Sequence, residues 1–227
     1  AKKAKAFMDR EIFLIPNGID VECFRPMERN DVLAEALGLP LESDSLLSVI
    51  GEQALRLQSS AVIGFAGELR AKKGLKTLLS AYAQVNKNSP ATLLIVGEVR
   101  TGEDKQAFDE FRLSKPDSQI IVTGIISHKD MPAYYSLMDA FVHPSLRDGM
   151  PNALLEAMAC EKAVIATPVG GTLDVIEDGK NGILVNVNDA SALADAINEL
   201  LDKPEKRIEL GKSARETIIS KFTPENE

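Results

Sequence analysis

Two carboxylates and the turn between them form the first candidate site in the sequence. Asp148 and Glu156 are eight positions apart, and Gly149, Met150 and Pro151 directly follow the first of them. Proline is favoured in the first turn of a helix, so we predict that a helix begins at Pro151. The backbone N–H groups of Gly149 and Met150 would then lie at a helix N-terminus, a favourable place for a phosphate or hydroxyl group. Asp148 on the loop and Glu156 on the helix are spaced to accept hydrogen bonds from different hydroxyls of one elongated polyol.

Glu156 has unusually apolar neighbours for a helical carboxylate. It is flanked by Leu154, Leu155, Ala157 and Met158. A solvated helix position is the alternative interpretation. A carboxylate in apolar surroundings needs a partner, which favours a functional role.

A second candidate site is a short cationic turn. It runs from Gly67 to Gly74 and contains Arg70, Lys72 and Lys73. Glycine permits close backbone approach to a ligand, and cations beside a helix start favour an anion such as a diphosphate. A solvated basic turn is the alternative, because charge runs usually lie on the surface. The sequence has no Gly-x-x-x-x-Gly-Lys-Ser/Thr loop, and it has no Gly-x-Gly-x-x-Gly turn, which disfavours a dinucleotide oxidoreductase.

Both turns follow apolar runs that are typical of buried strands. Strands are predicted over residues 12–15, 62–66, 92–96, 119–122, 140–143, 163–167 and 182–185. From residue 62 onward most of these runs are unbroken, as in strands buried on both faces. Helical periodicity lies between them, notably over residues 75–85, 193–201 and 206–221, with Asn188 and Asp189 as candidate N-caps. The pattern predicts an α/β fold, a doubly wound parallel sheet with helices on both faces, whose ligands bind at the carboxyl ends of the strands.

The composition narrows the class of protein. The chain has 227 residues, of which 44% are hydrophobic and 26% charged, as in a globular protein with a sizeable core. Its formal net charge of −8 disfavours nonspecific binding to nucleic acid or anionic membranes. No apolar run reaches the roughly 18 residues of a membrane helix. Cys23 and Cys160 are expected to be reduced thiols in a cytosolic protein.

In its ordered set of motifs, the chain resembles the donor half of retaining glycosyltransferases of family 4, which have the GT-B architecture of two facing Rossmann-like domains. The resemblance covers nearly the whole chain after about residue 11. It is weakest over residues 31–58, which we interpret as a helical insertion. The matching segments are residues 15–20, Phe24, Pro26, and residues 67–74, 148–160, 163–171 and 181–185.

The resemblance implies roles for the residues of the first site. Glu156 matches the second acid of the family's Glu-x7-Glu motif, which accepts hydrogen bonds from the nucleotide ribose. Asp148 matches the first acid, which is associated with the donor sugar, and is one methylene shorter here. Gly149, Met150 and Pro151 match the loop whose amides face the sugar and phosphates.

The resemblance also implies roles for the cationic turn and for one further loop. Lys73 matches the lysine that holds the diphosphate, on the loop that begins at Gly67. Glu68 stands where the family usually has arginine, and Arg70 is a candidate for the missing cation. The loop that meets the base through its backbone is matched by Gly124, Ile125 and Ile126.

The implied reaction is transfer of a sugar from a nucleotide diphosphate, during which negative charge develops on the leaving phosphate. Lys73, Arg70 and the helix N-terminus at Pro151 would stabilise this charge. Lys73, Asp148 and Glu156 are the catalytic candidates. The sequence has no Asp-x-Asp pair and only two histidines, so we predict metal-independent chemistry without a cofactor. His143 is interpreted as a satisfied strand-end histidine rather than a catalytic base.

The resemblance implies that an N-terminal acceptor domain is absent. Residues 1–20 would be the end of the interdomain linker and a first strand, and residues 21–227 the domain that binds the nucleotide-sugar donor. The whole protein would be a cytoplasmic hexosyltransferase, or one peripheral at the inner membrane face through the missing domain. Its acceptor would be a glycan, a lipid or a small molecule. We expect the isolated chain to bind a nucleoside diphosphate weakly and to transfer little or nothing.

Three alternatives stay open. A nonhydrolysing nucleotide-sugar epimerase shares the two-domain architecture, although residues 151–160 and the Lys73 loop fit the transferases better. A degenerate transferase domain could bind the donor without activity, which the departures at Asp148 and Glu68 favour. The third alternative is a flavodoxin-like domain with an unrelated ligand.

Overall fold

The chain folds into a parallel sheet between two layers of helices. The computed structural model describes residues 18–39, 61–85 and 91–224. Its strands are β1 (Ala61–Ala66), β2 (Ala91–Val96), β3 (Ile120–Val122), β4 (Ala140–His143), β5 (Ala163–Ala166) and β6 (Ile183–Leu184). Its helices are α1 (Asp31–Ala36), α2 (Leu75–Tyr82), α3 (Glu103–Ser114), α4 (Met131–Ser136), α5 (Asn152–Ala159), α6 (Thr172–Val175), α7 (Ala190–Asp202) and α8 (Pro204–Lys221). Short 3₁₀ turns cover Ala71–Lys73 and His128–Asp130.

The strand order creates a crevice beside β1. The order in the sheet is β3-β2-β1-β4-β5-β6, and every pairing is parallel. Strands β2 and β3 therefore lie on one side of β1, and β4, β5 and β6 lie on its other side. Ligands bind at such a switch in strand order, outside the carboxyl ends of the strands. The loops after β1 and β4, which contain both predicted sites, meet at this place.

The four central strands, β1, β2, β4 and β5, are buried on both faces, as their unbroken apolar sequences predict. In β1, every residue after Ala61 is buried. Ile63 and Phe65 belong to the core cluster that also contains residues of α2, α3 and α7. Val62 and Ala66 belong to the opposite cluster, which contains residues of α1, α4, α5 and α8. The predicted α/β class, a doubly wound parallel sheet with helices on both faces, is confirmed.

Most predicted elements lie within a residue or two of their predicted bounds. All six strands predicted from residue 62 onward are present, whereas the one predicted over residues 12–15 lies outside the described residues. Asp189 is the N-cap of α7, and its Oδ1 accepts a hydrogen bond from the Ala192 N–H at 2.9 Å. Of the predicted helical insertion, the described part contains α1, and residues 40–58 lie outside it, as do residues 1–17 of the predicted linker and first strand.

Gly74 lets the loops after β1 and β4 approach closely. It adopts a left-handed conformation with φ 83°, and a Cβ atom there would lie 2.0 Å from the Pro144 carbonyl oxygen. Nearby, the Leu146 N–H donates to the Lys72 carbonyl at 2.9 Å. Glycine is the one residue that satisfies both constraints without strain. The contact fixes the cationic turn against the loop that contains Asp148.

None of the helices within residues 18–39, 61–85 and 91–224 is both long enough and apolar enough to cross a bilayer.

Candidate active site

The two predicted sites are joined by an ion pair between Lys73 and Asp148. Lys73 ends the 3₁₀ turn after β1, and Asp148 lies on the loop after β4, 75 positions further along the chain. The Lys73 Nζ donates to Asp148 Oδ2 at 2.5 Å, and the two side chains are only 21% and 15% exposed. The side chains predicted to meet the diphosphate and the donor sugar therefore lie next to each other at the switch point.

Asp148 accepts hydrogen bonds from several directions. His143 Nε2 lies 2.8 Å from Oδ2, and the Ser145 hydroxyl donates to the same oxygen at 3.3 Å. The Gly149 N–H donates to Oδ1 at 3.0 Å. The hydrogen bond from His143, followed by that from Lys73, holds the pKa of Asp148 well below its usual range, although burial opposes the shift. Asp148 is therefore a fixed, ionised acceptor.

His143 positions Asp148 rather than simply filling a strand end. It is the last residue of β4 and is buried, and its Nε2 also lies 3.0 Å from the Ser145 hydroxyl. The Nδ1 atom is buried and has no hydrogen-bond partner among the described residues. The prediction of a satisfied strand-end histidine holds for Nε2 and is wrong for Nδ1.

The carboxylate of Asp148 should stabilise the fold until strongly acidic pH. Its pKa is depressed in the folded state, so its contribution is complete above the usual value of 3.8 and is lost as the pH falls through the depressed value. The difference in free energy of unfolding between wild type and Asp148→Asn should be constant from about pH 7 to 5 and shrink below about pH 4. Urea unfolding across this range measures it, with the exposed Asp117→Asn as control. A difference that does not change with pH contradicts the assignment.

Helix α5 presents Glu156 from within the core. The helix begins at Asn152, one position after the predicted start, and Pro151 is its N-cap. Glu156 is only 6% exposed. The Tyr135 hydroxyl donates to its Oε2 at 2.8 Å, and His128 Nε2 lies 3.0 Å from its Oε1. The predicted need of this carboxylate for partners is confirmed.

Tyr135 is a permanent donor to Glu156. Burial, followed by the negative charge of Glu156, raises the pKa of Tyr135 well above its usual value. The phenol therefore stays protonated, and able to donate, at neutral pH. The core side of the carboxylate, Oε2, is thus fixed by Tyr135, and Oε1 lies on the side toward the surface.

The loop after β3 joins the same edge of the sheet. The Gly124 N–H donates to the Gly97 carbonyl at 3.0 Å, and a Cβ atom on Gly97 would lie 2.3 Å from the Gly67 carbonyl oxygen. Three glycines at the strand ends therefore lie side by side: Gly67 after β1, Gly97 after β2 and Gly124 after β3. Ile126 packs half-buried against the core, and His128 follows it by two residues. The loop predicted to meet a base leads directly to the Glu156 carboxylate.

Two of the groups predicted to meet a ligand have partners within the protein, and their ligand roles stay predictions. The Gly149 N–H was predicted to face a ligand at the helix start, but it donates to Asp148 instead. Arg70 was predicted to supply a cation, but its Nη1 lies 2.8 Å from Glu68 Oε2 on the same loop. Side chains two positions apart meet here because Arg70 is extended. The pair offsets the charge of Arg70.

The loop after β5 closes the site on its far side. The Gly171 N–H donates to the Gly149 carbonyl at 2.7 Å. A Cβ atom on Gly170 would lie 2.1 Å from the Asp148 carbonyl oxygen, and one on Gly171 would contact the side chain of Met150. The loop that contains Asp148, Gly149 and Met150 is therefore held between the loops after β1 and β5.

The site has two parts, one around Asp148 and one around Glu156. Glu156 lies four residues after the start of α5, or roughly 6 Å along the helix axis. The sequence did not single out His128, Tyr135 or Ser145 as site residues. The available signal was that the only two histidines lie at or after predicted strand ends, since His143 ends one predicted strand and His128 follows another. Each contacts one of the two carboxylates.

The described residues contain no group of three or more His, Cys, Asp and Glu side chains placed to hold a metal ion. Metal independence stays a prediction.

The chain belongs to the family described as glycosyl transferases group 1, whose model matches residues 48–217. It is 29% identical to the capsular polysaccharide biosynthesis glycosyltransferase CapM of Staphylococcus aureus. The 168 aligned residues cover 74% of this chain and 43% of that protein. It spans about half of several relatives that it matches, for example 48% of the Bacillus subtilis putative glycosyltransferase EpsD and 53% of the Mycolicibacterium smegmatis alpha-maltose-1-phosphate synthase.

Solved structures that share this fold include glycosyltransferases of the GT-B architecture. The sucrose-phosphate synthase of Thermosynechococcus elongatus has a TM-score of 0.74 and 27% identity over 99% of this chain and 53% of its own. The C-terminal domain of the group 1 family protein LpcC from Francisella tularensis also has a TM-score of 0.74, with 25% identity over 91% of this chain and 100% of that domain. Anabaena HepE, solved with UDP-glucose, has a TM-score of 0.71 over 91% of this chain and 52% of its own, and at 22% identity it shows the fold alone.

Proposed function

We propose that the chain is the C-terminal, donor-binding domain of a retaining hexosyltransferase that uses a nucleotide-diphosphate sugar. The observation that supports this most directly is the arrangement at the switch point, where the Lys73 ammonium, the Asp148 carboxylate and α5 come together. A cation for a diphosphate, a fixed acceptor for a sugar hydroxyl and a buried acceptor for a ribose are the groups that such a donor needs.

Lys73 would serve the leaving group. When the bond between the anomeric carbon and the diphosphate oxygen breaks, negative charge develops on that oxygen. An ammonium group has three donors, so Lys73 can bind the diphosphate while one N–H remains directed at Asp148. His143 and Ser145 hold Asp148 in place if Lys73 turns toward the ligand. Asp148 is then free to accept a hydrogen bond from the donor sugar.

The remainder of the enzyme would bind the acceptor substrate. The full length of the LpcC C-terminal domain is matched by this chain, whereas longer relatives are matched over about half. We therefore propose an N-terminal partner domain that binds the acceptor and closes over the donor, and we expect the isolated chain to transfer little or nothing. Action without a metal or cofactor and a cytoplasmic location belong to the same proposal.

One observation favours a second candidate, a domain that binds the donor without transferring it. The Glu68–Arg70 pair removes a free cation from the loop after β1. Complete enzyme that binds a nucleotide sugar but never releases the nucleotide would support this candidate. Release of the nucleotide with transfer or slow hydrolysis of the sugar would support the transferase, and an epimerised sugar nucleotide would indicate an epimerase.

Isothermal titration with UDP, GDP and ADP tests the proposal on the chain itself. We expect heat of binding with one of the three, weak in affinity and unchanged by EDTA. Absence of binding with all three nucleotides contradicts the proposed site. Binding that EDTA abolishes contradicts metal independence alone.

A further inference from the structure

We infer that His128 is a positioning residue that orients the Glu156 carboxylate for the ribose of the nucleotide. The inference rests on the proposed function and deepens it. It concerns a residue that the sequence did not single out and that lies outside the two matched acids.

His128 is held in place by contacts on two sides. Its Nε2 lies 3.0 Å from Glu156 Oε1. Its ring packs against the buried ring of Phe24, with 4.9 Å between the ring centroids. Phe24 comes from the segment before α1, Glu156 from α5 and His128 from the 3₁₀ turn after β3, so three separate parts of the chain determine the contact.

The carboxylate of Glu156 runs from the core to the surface. Its Oε2 accepts from Tyr135, whose side chain is fully buried, whereas Oε1 contacts His128, whose side chain is 73% exposed. A hydroxyl that arrives from solvent therefore meets Glu156 on the side of Oε1. His128 lies at that approach and, with Ile126 two residues before it, borders the region predicted for the base.

The His128 donor fixes the orientation of the Glu156 carboxylate. The Glu156 side chain is 8% exposed, so few water molecules can replace a missing donor at Oε1. With Tyr135 alone, the carboxylate could rotate away from the approach of the ribose. A second donor fixes the plane of the two oxygens before the ligand arrives, and such preorganisation lowers the cost of binding. A carboxylate oxygen has more than one lone pair, so Oε1 can accept from His128 and a ribose hydroxyl together.

The test compares nucleotides with and without ribose hydroxyls. His128→Phe keeps a ring against Phe24 but removes the donor, and His128→Gln retains an N–H donor at a similar reach. For the nucleoside diphosphate that wild type binds best, we expect His128→Phe to weaken binding by about tenfold, because a hydrogen bond to a charged group is lost. The 2′,3′-dideoxy form of the same nucleotide should bind wild type and His128→Phe within about twofold, since nothing is left for Glu156 to hold. His128→Gln should restore much of the ribonucleotide affinity.

Two further variants separate positioning from a structural role. Lys129→Ala changes the exposed neighbouring residue and should bind as wild type does. In a Glu156→Gln background, His128→Phe should have little further effect on affinity, as expected for residues that act as one unit. Thermal unfolding of every variant confirms that it is folded.

The outcomes are distinct. Wild-type affinity in His128→Phe, an equal loss for the dideoxy nucleotide, or a full tenfold loss in the Glu156→Gln background overturns the inference and leaves the proposed function standing. Failure of wild type to bind UDP, GDP or ADP contradicts the proposed function, and the inference is overturned with it.

Discussion

Glu156→Gln should weaken binding of a nucleoside diphosphate to this chain by about 30-fold, which corresponds to roughly 2 kcal/mol. The carboxylate accepts hydrogen bonds at both oxygens, whereas the amide offers one acceptor and one donor. The Tyr135 hydroxyl still has an acceptor in the variant, so the core around α5 keeps its packing. The amide then directs an N–H toward the ribose side, where a hydroxyl needs an acceptor.

The control for this variant is Glu216→Gln. Glu216 is an exposed glutamate on α8, so the change removes one charge from a helix surface without touching the site. It should alter affinity by less than about twofold, because exposed charges are strongly screened by water and salt. Isothermal titration of both variants against the nucleotide that wild type binds measures the effect. Equal affinities of wild type and Glu156→Gln contradict the ribose role of Glu156.

Lys73→Ala should weaken nucleoside diphosphate binding by about 10- to 100-fold and lower the transfer rate of the complete enzyme by a further 100-fold or so. The physical reason is the location of Lys73, which is mostly buried at the switch point, where a charge acts on its neighbours more strongly than in water. The transfer rate falls in addition to the affinity because the charge on the diphosphate grows as the bond to the sugar breaks.

The adjacent lysine provides a matched control for Lys73. Lys72 is exposed, and it contacts the β4 loop through its backbone carbonyl, which an alanine retains. Lys72→Ala should change affinity by less than about threefold, and raised salt should remove most of that change. Equal losses in Lys72→Ala and Lys73→Ala would show that the turn acts through its net charge, and would contradict the specific role of Lys73.

The sequence contained the layout of the fold. Unbroken apolar runs such as residues 62–66 and 92–96 indicate strands that need helices on both faces, and the structure has them. The apolar neighbours of Glu156 likewise indicated a buried carboxylate. These predictions succeeded because burial of strands and helices is recorded in the spacing of apolar residues along the chain.

The side-chain contacts within the site could not be predicted from local sequence patterns. His128 reaches Glu156 across 28 positions and Lys73 reaches Asp148 across 75. Arg70 shows the same limit at short range, because its pairing with Glu68 depends on the backbone conformation of the turn. The spacing of apolar residues indicates which face of each helix or strand is buried, but it does not indicate which loops will be in contact.

The sequence by itself therefore determined the class of sheet, the strand-end positions of the candidate residues and the burial of Glu156. Tertiary structure alone decided that β4 lies beside β1, and with that, which side chains meet Lys73 and Asp148. The physical reason is that apolar spacing sets the burial of each strand, whereas the order of strands follows from how all the helices and loops pack together.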